Sequence, residues 1–237
     1  MIKIAYCAGH HLGNPKGVPK SMGLGEIREW TLNDRVARHF ARAALEYDGV
    51  QLLRTDDPTG KTLIDIPERC AAANRWGADL YLDFHHNGGI NGGGGGGVCA
   101  FSYPGSKEGK KYRDAIYEAV IAGGGLKGNR ASPLIEKGFD SLRYSHMPAV
   151  LMEYGFMDSK TDAPVIITEE YSRLVAYATM EGIAKAAGLK KLPQVQEADV
   201  FYRVQVGAFN DSKLAEALAD KLRKAGFGEP LVVAVQR

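Results

Sequence analysis

Three short, almost uninterrupted apolar runs leave this chain few ways to fold: IKIAYCA at 2–8, ADLYLDFH at 78–85 and MPAVLMEYG at 147–155. Each has the length of a strand. A run that is apolar at successive positions buries both of its faces, as in a parallel sheet covered by helices. The segments between the runs have the matching character. From Glu29 to about Tyr47, Leu32, Val36, Phe40 and Ala44 recur every four residues and mark one face of a helix. Pro67 suits the first turn of a helix that runs to about Trp76. Residues 107–122 read as a helix ended by GGG, and 168–187 as a helix stopped by Gly188. VQLLRT (50–55) and VCAFSY (98–103) read as further strands, and 11–28 as a long loop. This alternation predicts an α/β domain: a mostly parallel twisted sheet flanked by helices on both faces.

Beyond Gly188 the character changes. The polar, proline-containing stretch 189–199 reads as a linker. In 200–237, FYRVQVGAF and PLVVAV flank an amphipathic helix that Asp211 is placed to cap, which predicts a small C-terminal βαβ unit. Such a unit is too small to build a core alone. It is part of a larger module, or it pairs with another chain as a homodimer. The expected division is 1–188 for the main domain, 189–199 for the linker and 200–237 for the small unit.

Composition excludes several classes. The net charge is +2, which argues against nucleic acid as a partner. No stretch approaches the roughly 20 apolar residues of a membrane span. MIKIAYCAGH lacks the basic and apolar regions of a signal peptide, so the chain is expected to be made in the cytoplasm. Cys7, Cys70 and Cys99 are odd in number and show no CxxC spacing, which predicts buried free thiols.

In open α/β sheets, ligands bind beyond the carboxyl ends of the strands. His10 lies just past the first run, His85 and His86 close the second, and Glu153 closes the third. Two histidines, a carboxylate and a water form a recurrent catalytic zinc site. Glu26 and Glu29, 16 and 19 positions beyond His10, both qualify as the acidic ligand. Glu29 has the advantage of opening a helix. Strand alternation puts Tyr81, Asp83 and His85 on one face and Leu82, Phe84 and His86 on the other, so at most one histidine of the doublet serves a given site.

The motifs AGHHLGNPKG (8–17), EWTLN (29–33), LLRTDD (52–57), ERCAAANRWGADLYLDFHHN (68–87) and PAVLMEYGFMDS (148–159) agree in order and spacing with a known family. Over about residues 1–188 the chain resembles the zinc-dependent N-acetylmuramoyl-L-alanine amidases, peptidoglycan hydrolases found in phage endolysins, cell-division enzymes and spore-wall hydrolases. The resemblance implies Zn²⁺ on His10 (of the Gly9-His10 pair), Glu29 (four before Asn33) and His85 (two before Asn87). It implies Glu153, in VLMEYGF, as the catalytic glutamate. The position two before the histidine ligand is often serine in the family. Here it is Asp83, which could orient an imidazole N–H. YRVQVGAFNDSKLAEALADKLRKAGF resembles the opening of SPOR domains, which bind peptidoglycan glycan strands, and implies a partial wall-binding domain.

The expected function is therefore hydrolysis of the amide between N-acetylmuramic acid and L-alanine. The expected setting is a phage endolysin released to the wall at lysis. The alternatives are a spore or mother-cell wall amidase, a zinc peptidase acting on the cross-links, and a wall-binding module without catalysis. His11, His39, His86 and His146 are expected to be bystanders, with His39 on the surface and His86 or His146 at most lining the groove. Arg69 is expected in a structural ion pair, and Arg130 is a candidate for substrate contact. The glycines at 92–97 do not open a helix, so they predict a flexible loop rather than a phosphate cradle.

Overall fold

The apolar runs become the middle of a six-stranded sheet. A computed structural model describes residues 1–193, Gly207, 209–225 and Val232. In chain order the elements are β1 (Ile2–Ala8), β2 (Gly17–Val18), β3 (Ile27–Arg28), α1 (Glu29–Ala44), β4 (Val50–Arg54), α2 (Ile66–Trp76), β5 (Leu80–Asn87) and β6 (Cys99–Ser102). They continue with α3 (Lys107–Ala122), β7 (Leu134–Glu136), α4 (Asp140–Arg143), β8 (Ala149–Phe156), α5 (Ala163–Ile166), α6 (Glu169–Ala187) and α7 (Ser212–Lys224). The sheet order is β4-β1-β5-β8-β6-β7. β4, β1, β5 and β8 run parallel, and β6, with β7 parallel to it, is antiparallel to β8. The sheet is thus mostly parallel, as expected. The loop predicted over 11–28 contains a small antiparallel pair, β2 and β3. β7 is too short to leave a periodic signal in the sequence.

Strand alternation divides the core in two. Ile4, Tyr6, Leu80, Leu82, Phe84, Met152 and Tyr154 face α1, α3 and α6. Phe40 of α1 sits among these aromatic rings, its centroid 5.4 Å from Tyr6 and 5.3 Å from Phe84. Ala5, Cys7, Tyr81, Phe101 and Leu151 face the opposite way, against Cys70 and Ala73 of α2 and Leu142 of α4. Helices therefore cover both faces. The three cysteines are free and buried.

His39 is not a surface residue. It is buried in α1, and its Nε2 lies 2.8 Å from Glu169 at the start of α6. The four-residue spacing identified the buried stripe of α1, but α6 also covers the flank that carries His39.

By internal contacts the chain divides into two compact units, Met1–Pro193 and Gln194–Arg237. Within the first unit, residues after α6 stay attached: Asp48 N–H donates to Lys190 O, Leu192 N–H donates to Glu46 O, and Lys191 pairs with Glu46. In the second unit Asp211 caps α7 by accepting from the Lys213 N–H. The strands expected at 201–209 and 230–235 fall almost wholly outside the described residues. Among the described residues no helix is long and apolar enough to cross a membrane.

Candidate metal centre and catalytic site

The candidate site forms where β1, β5 and β8 end. β1 stops at Ala8, and the chain turns sharply: His10 has φ of +66°, in the left-handed region that costs a side-chain-bearing residue about 1–2 kcal/mol. Three side-chain donors hold the turn. Arg69 donates from Nη1 to Ala8 O (2.9 Å) and from Nη2 to His10 O (2.7 Å), and Asn33 Nδ2 donates to Gly9 O (3.1 Å). Arg69 Nε also donates to Ile64 O, which ties this turn to the start of α2. Gly9 is required for a different reason. A Cβ there would lie 2.1 Å from the His85 ring, so glycine makes the space that the second histidine fills.

Glu29 reaches the same point as the first residue of α1, where the helix N-terminus favours a carboxylate. Its two oxygens face different histidines: Oε2 lies 3.1 Å from His10 Nε2, and Oε1 lies 2.9 Å from His85 Nδ1. Oε1 also accepts from the His86 backbone N–H at 3.3 Å. Burial pushes the Glu29 carboxyl up, but the hydrogen bonds from His10 and His85 outweigh it and hold the group well below the usual carboxylate range. His10, Glu29 and His85 each offer a ligand atom, all within 4.8 Å of one another. The donor set of two imidazoles and one buried carboxylate suits a divalent cation such as zinc. Glu26 is elsewhere, exposed and paired with Lys20 and Arg28.

Glu153 lies beside this cluster. It is in register with His85 across the parallel pair of β5 and β8, which sets both side chains on one face of the sheet. Its Oε2 is buried without a hydrogen-bond partner among the described residues. Burial pushes its carboxyl up to about 8; His85 opposes the rise, and Glu29 and Asp83 add to it. A carboxyl poised near neutrality can both take and give a proton.

The doublet separates as strand alternation requires. His85 joins the cluster, and His86 turns to the α1 face, where its Nδ1 bonds Asn33 Oδ1 at 2.8 Å. Asn33 Oδ1 can only accept, so His86 Nδ1 carries the proton. His86 is 2% exposed and so lines no groove. Burial drives its pKa down to about 3, so it stays neutral. His146 is exposed on a cleft of about 520 Å³ before β8, at the opposite end of that strand from Glu153. Arg69 makes no carboxylate ion pair among the described contacts; it binds carbonyls instead. Arg130 lies over the Phe156 ring, 5.4 Å from its centroid, at the rim of the glycine loop.

The glycine loop is clamped. Gly95 N–H donates to Thr161 Oγ1, Gly96 N–H to Asn129 Oδ1 and Gly97 N–H to Asp162 Oδ2. Asp158 Oδ2 accepts from Gly89 and Asn91. The flexibility expected of this tract is replaced by a hydrogen-bonded loop. Its glycines meet positive φ and close backbone approach, as where a Cβ on Gly97 would lie 2.6 Å from Gly128 N. Composition alone cannot distinguish glycine used for slack from glycine used for fit. Asn33 and Arg69 sit inside motifs visible in the sequence, but their work is done on backbone carbonyls, which no residue pattern reveals.

The family model described as N-acetylmuramoyl-L-alanine amidase matches residues 4–185. The chain belongs to this amidase family. It is an N-acetylmuramoyl-L-alanine amidase, a hydrolase of the bacterial cell wall. A SPOR domain model matches residues 169–234, so the amidase carries a C-terminal SPOR domain. The sporulation-specific N-acetylmuramoyl-L-alanine amidase of Bacillus subtilis (strain 168) is 31% identical over 236 residues, covering 96% of this chain and 83% of the relative. The endolysin of Bacillus phage SPP1 is 32% identical over 148 residues, covering 60% of this chain and 51% of the relative. The fold is that of an N-acetylmuramoyl-L-alanine amidase from Clostridium difficile 630, with a TM-score of 0.70 at 23% identity, covering 79% of this chain and 97% of that one. The catalytic domain of CwlV from Bacillus (Paenibacillus) polymyxa var. colistinus matches with a TM-score of 0.69 at 19% identity, over 80% of this chain and 100% of that one.

Proposed function

We propose that the amidase holds a zinc ion on His10, Glu29 and His85, and that Glu153 carries the proton in cleavage of the amide between the lactyl group of N-acetylmuramic acid and L-alanine. The observation that carries this reading is the orphaned Glu153 Oε2, buried on the same sheet face as His85, one of three convergent ligands. Zinc at such a site lowers the pKa of a water toward neutrality and polarises the scissile carbonyl. The side chains do the rest. His10 and His85 would ligate as neutral imidazoles that present lone pairs, their displaced protons passing to solvent, while Glu29 stays a carboxylate. Glu153 accepts a proton from the attacking water and delivers it to the departing L-alanine nitrogen. The clamped glycine loop gives the long substrate a low rim, because glycine presents no side chain.

The decisive test is Glu153→Gln. Hydrolysis, read as release of free L-alanine amino groups from purified peptidoglycan, should fall by about 10²–10⁴-fold while zinc content stays at one per chain. Full turnover by a zinc-loaded Glu153→Gln protein would refute the assignment. The same digestion separates this activity from a zinc peptidase, whose new amine would belong to a cross-link residue.

Residues 1–188 form the catalytic domain, 189–199 the linker and 200–237 the wall-binding part. The break between compact units at Pro193 and Gln194 supports this division, although the SPOR match already begins within α6. For biological setting, the relative named for sporulation matches nearly the whole chain, whereas the endolysin matches 60% of it. That favours a sporulation or mother-cell wall amidase over a phage endolysin. Expression confined to sporulating cells would support this setting, and expression only from an induced prophage would reverse it.

A further inference from the structure

Resting on that ligand set, we propose that Asp83 is a positioning residue that fixes the His85 imidazole with Nδ1 toward the metal and Nε2–H toward its own carboxylate. The ring's two nitrogens face opposite anions. Nδ1 is 2.9 Å from Glu29 Oε1, and Nε2 is 3.2 Å from Asp83 Oδ1. Glu29, whose other oxygen faces His10 Nε2, lies on the Nδ1 side of the ring, which assigns Nδ1 to the ligand cluster. A carboxylate that accepts from the far nitrogen fixes the tautomer and makes the near lone pair more basic.

Asp83 is built for this task. It stands two residues before His85 on β5, hence on the same face, and is 4% exposed. It is held from behind, since Cys7 Sγ donates to Asp83 Oδ1 at 3.1 Å and Cys7 Sγ lies 3.2 Å from the Tyr81 hydroxyl. The absent side chain at Gly9 lets the ring lie close against the backbone between the two carboxylates. With both histidines neutral, Glu29 and Asp83 together offset the two charges of a divalent cation. Sequence alternation alone would allow Asp83 merely to pack beside His85. The short contact to Nε2 is what gives it a role in metal binding.

The test measures zinc affinity by competition with a chromophoric chelator, alongside the melting temperature of zinc-free protein and the ¹H–¹⁵N signals of the His85 ring. Asp83→Ala should weaken zinc binding by about 10- to 100-fold and lose the downfield Nε2–H resonance. Asp83→Asn keeps an acceptor oxygen without the charge, so it should retain that resonance and show an intermediate affinity. Should the alanine variant fail to fold, the asparagine variant decides alone. Zinc affinity within about twofold of wild type in a folded Asp83 variant overturns the inference. His85→Ala distinguishes the role of Asp83 from the ligand set. If it loses zinc while the Asp83 variants keep it, Asp83 is only a packing residue and the ligand set stands. If it keeps zinc, the ligand set and the role of Asp83 fall together.

Discussion

Arg69 does for His10 what no ion pair could. Its guanidinium fork spans carbonyls two residues apart and holds a turn whose histidine sits at positive φ. Replacing it with methionine keeps much of the buried stem but orphans these carbonyls. The melting transition should fall by an equivalent of at least about 2 kcal/mol, and zinc affinity should fall with it, because His10 is no longer held. Glu153 gives a prediction with a definite sign. Its folded-state pKa is near 8, above the ordinary 4.5, so the folded chain binds the extra proton. In zinc-free protein its contribution to stability is complete below about pH 4.5 and is lost as pH rises toward 8. Thermal melts of chelated wild type and Glu153→Gln at pH 5 and pH 8 should show the variant gaining on wild type at the higher pH. Parallel pH dependence of the two would show that Glu153 is not raised.

At the scale of elements, the glycine loop between β5 and β6 is a hydrogen-bonded segment held against residues 158–162. Gly92 has φ of +79° with open space around its missing Cβ, whereas Gly97 has φ of +88° with the Gly128 backbone in the way. Gly92→Ala should therefore cost about 1–2 kcal/mol of backbone strain, and Gly97→Ala clearly more, in chemical-denaturation midpoints. Equal effects would mean that the loop rearranges freely. Hydrogen exchange should show Gly97 N–H, bonded to the buried Asp162, as strongly protected. The same distinction between pattern and packing applies to α1. Its four-residue repeat identified Phe40 as core, but the contact between α1 and α6 is what buried His39 as well.

At the scale of the molecule, one chain joins an amidase domain to a SPOR domain, and we propose that the second holds the wall that the first cleaves. Pull-down on purified sacculi should retain the full chain several-fold better than residues 1–193, with hydrolysis of soluble fragments unchanged; equal retention would assign wall binding to the catalytic part. The sequence by itself determined the α/β class, because apolar strand-length runs alternating with helical periodicity admit few other folds. It also offered the candidate residues His10, Glu29, His85 and Glu153 through motifs that resemble the amidase family, and the separation of His85 from His86 through the two-residue period of a strand. Three features emerged only from the tertiary structure: the carbonyl clamp by Arg69 and Asn33, the rigidity of the glycine loop, and the contact of Asp83 with His85 Nε2. The clamp and the loop rest on hydrogen bonds between groups far apart in sequence that involve backbone, and backbone groups are the same at every position until the fold brings them to a particular side chain; Asp83 and His85 are close in sequence, but which ring nitrogen meets the carboxylate is decided by the packing around the ring.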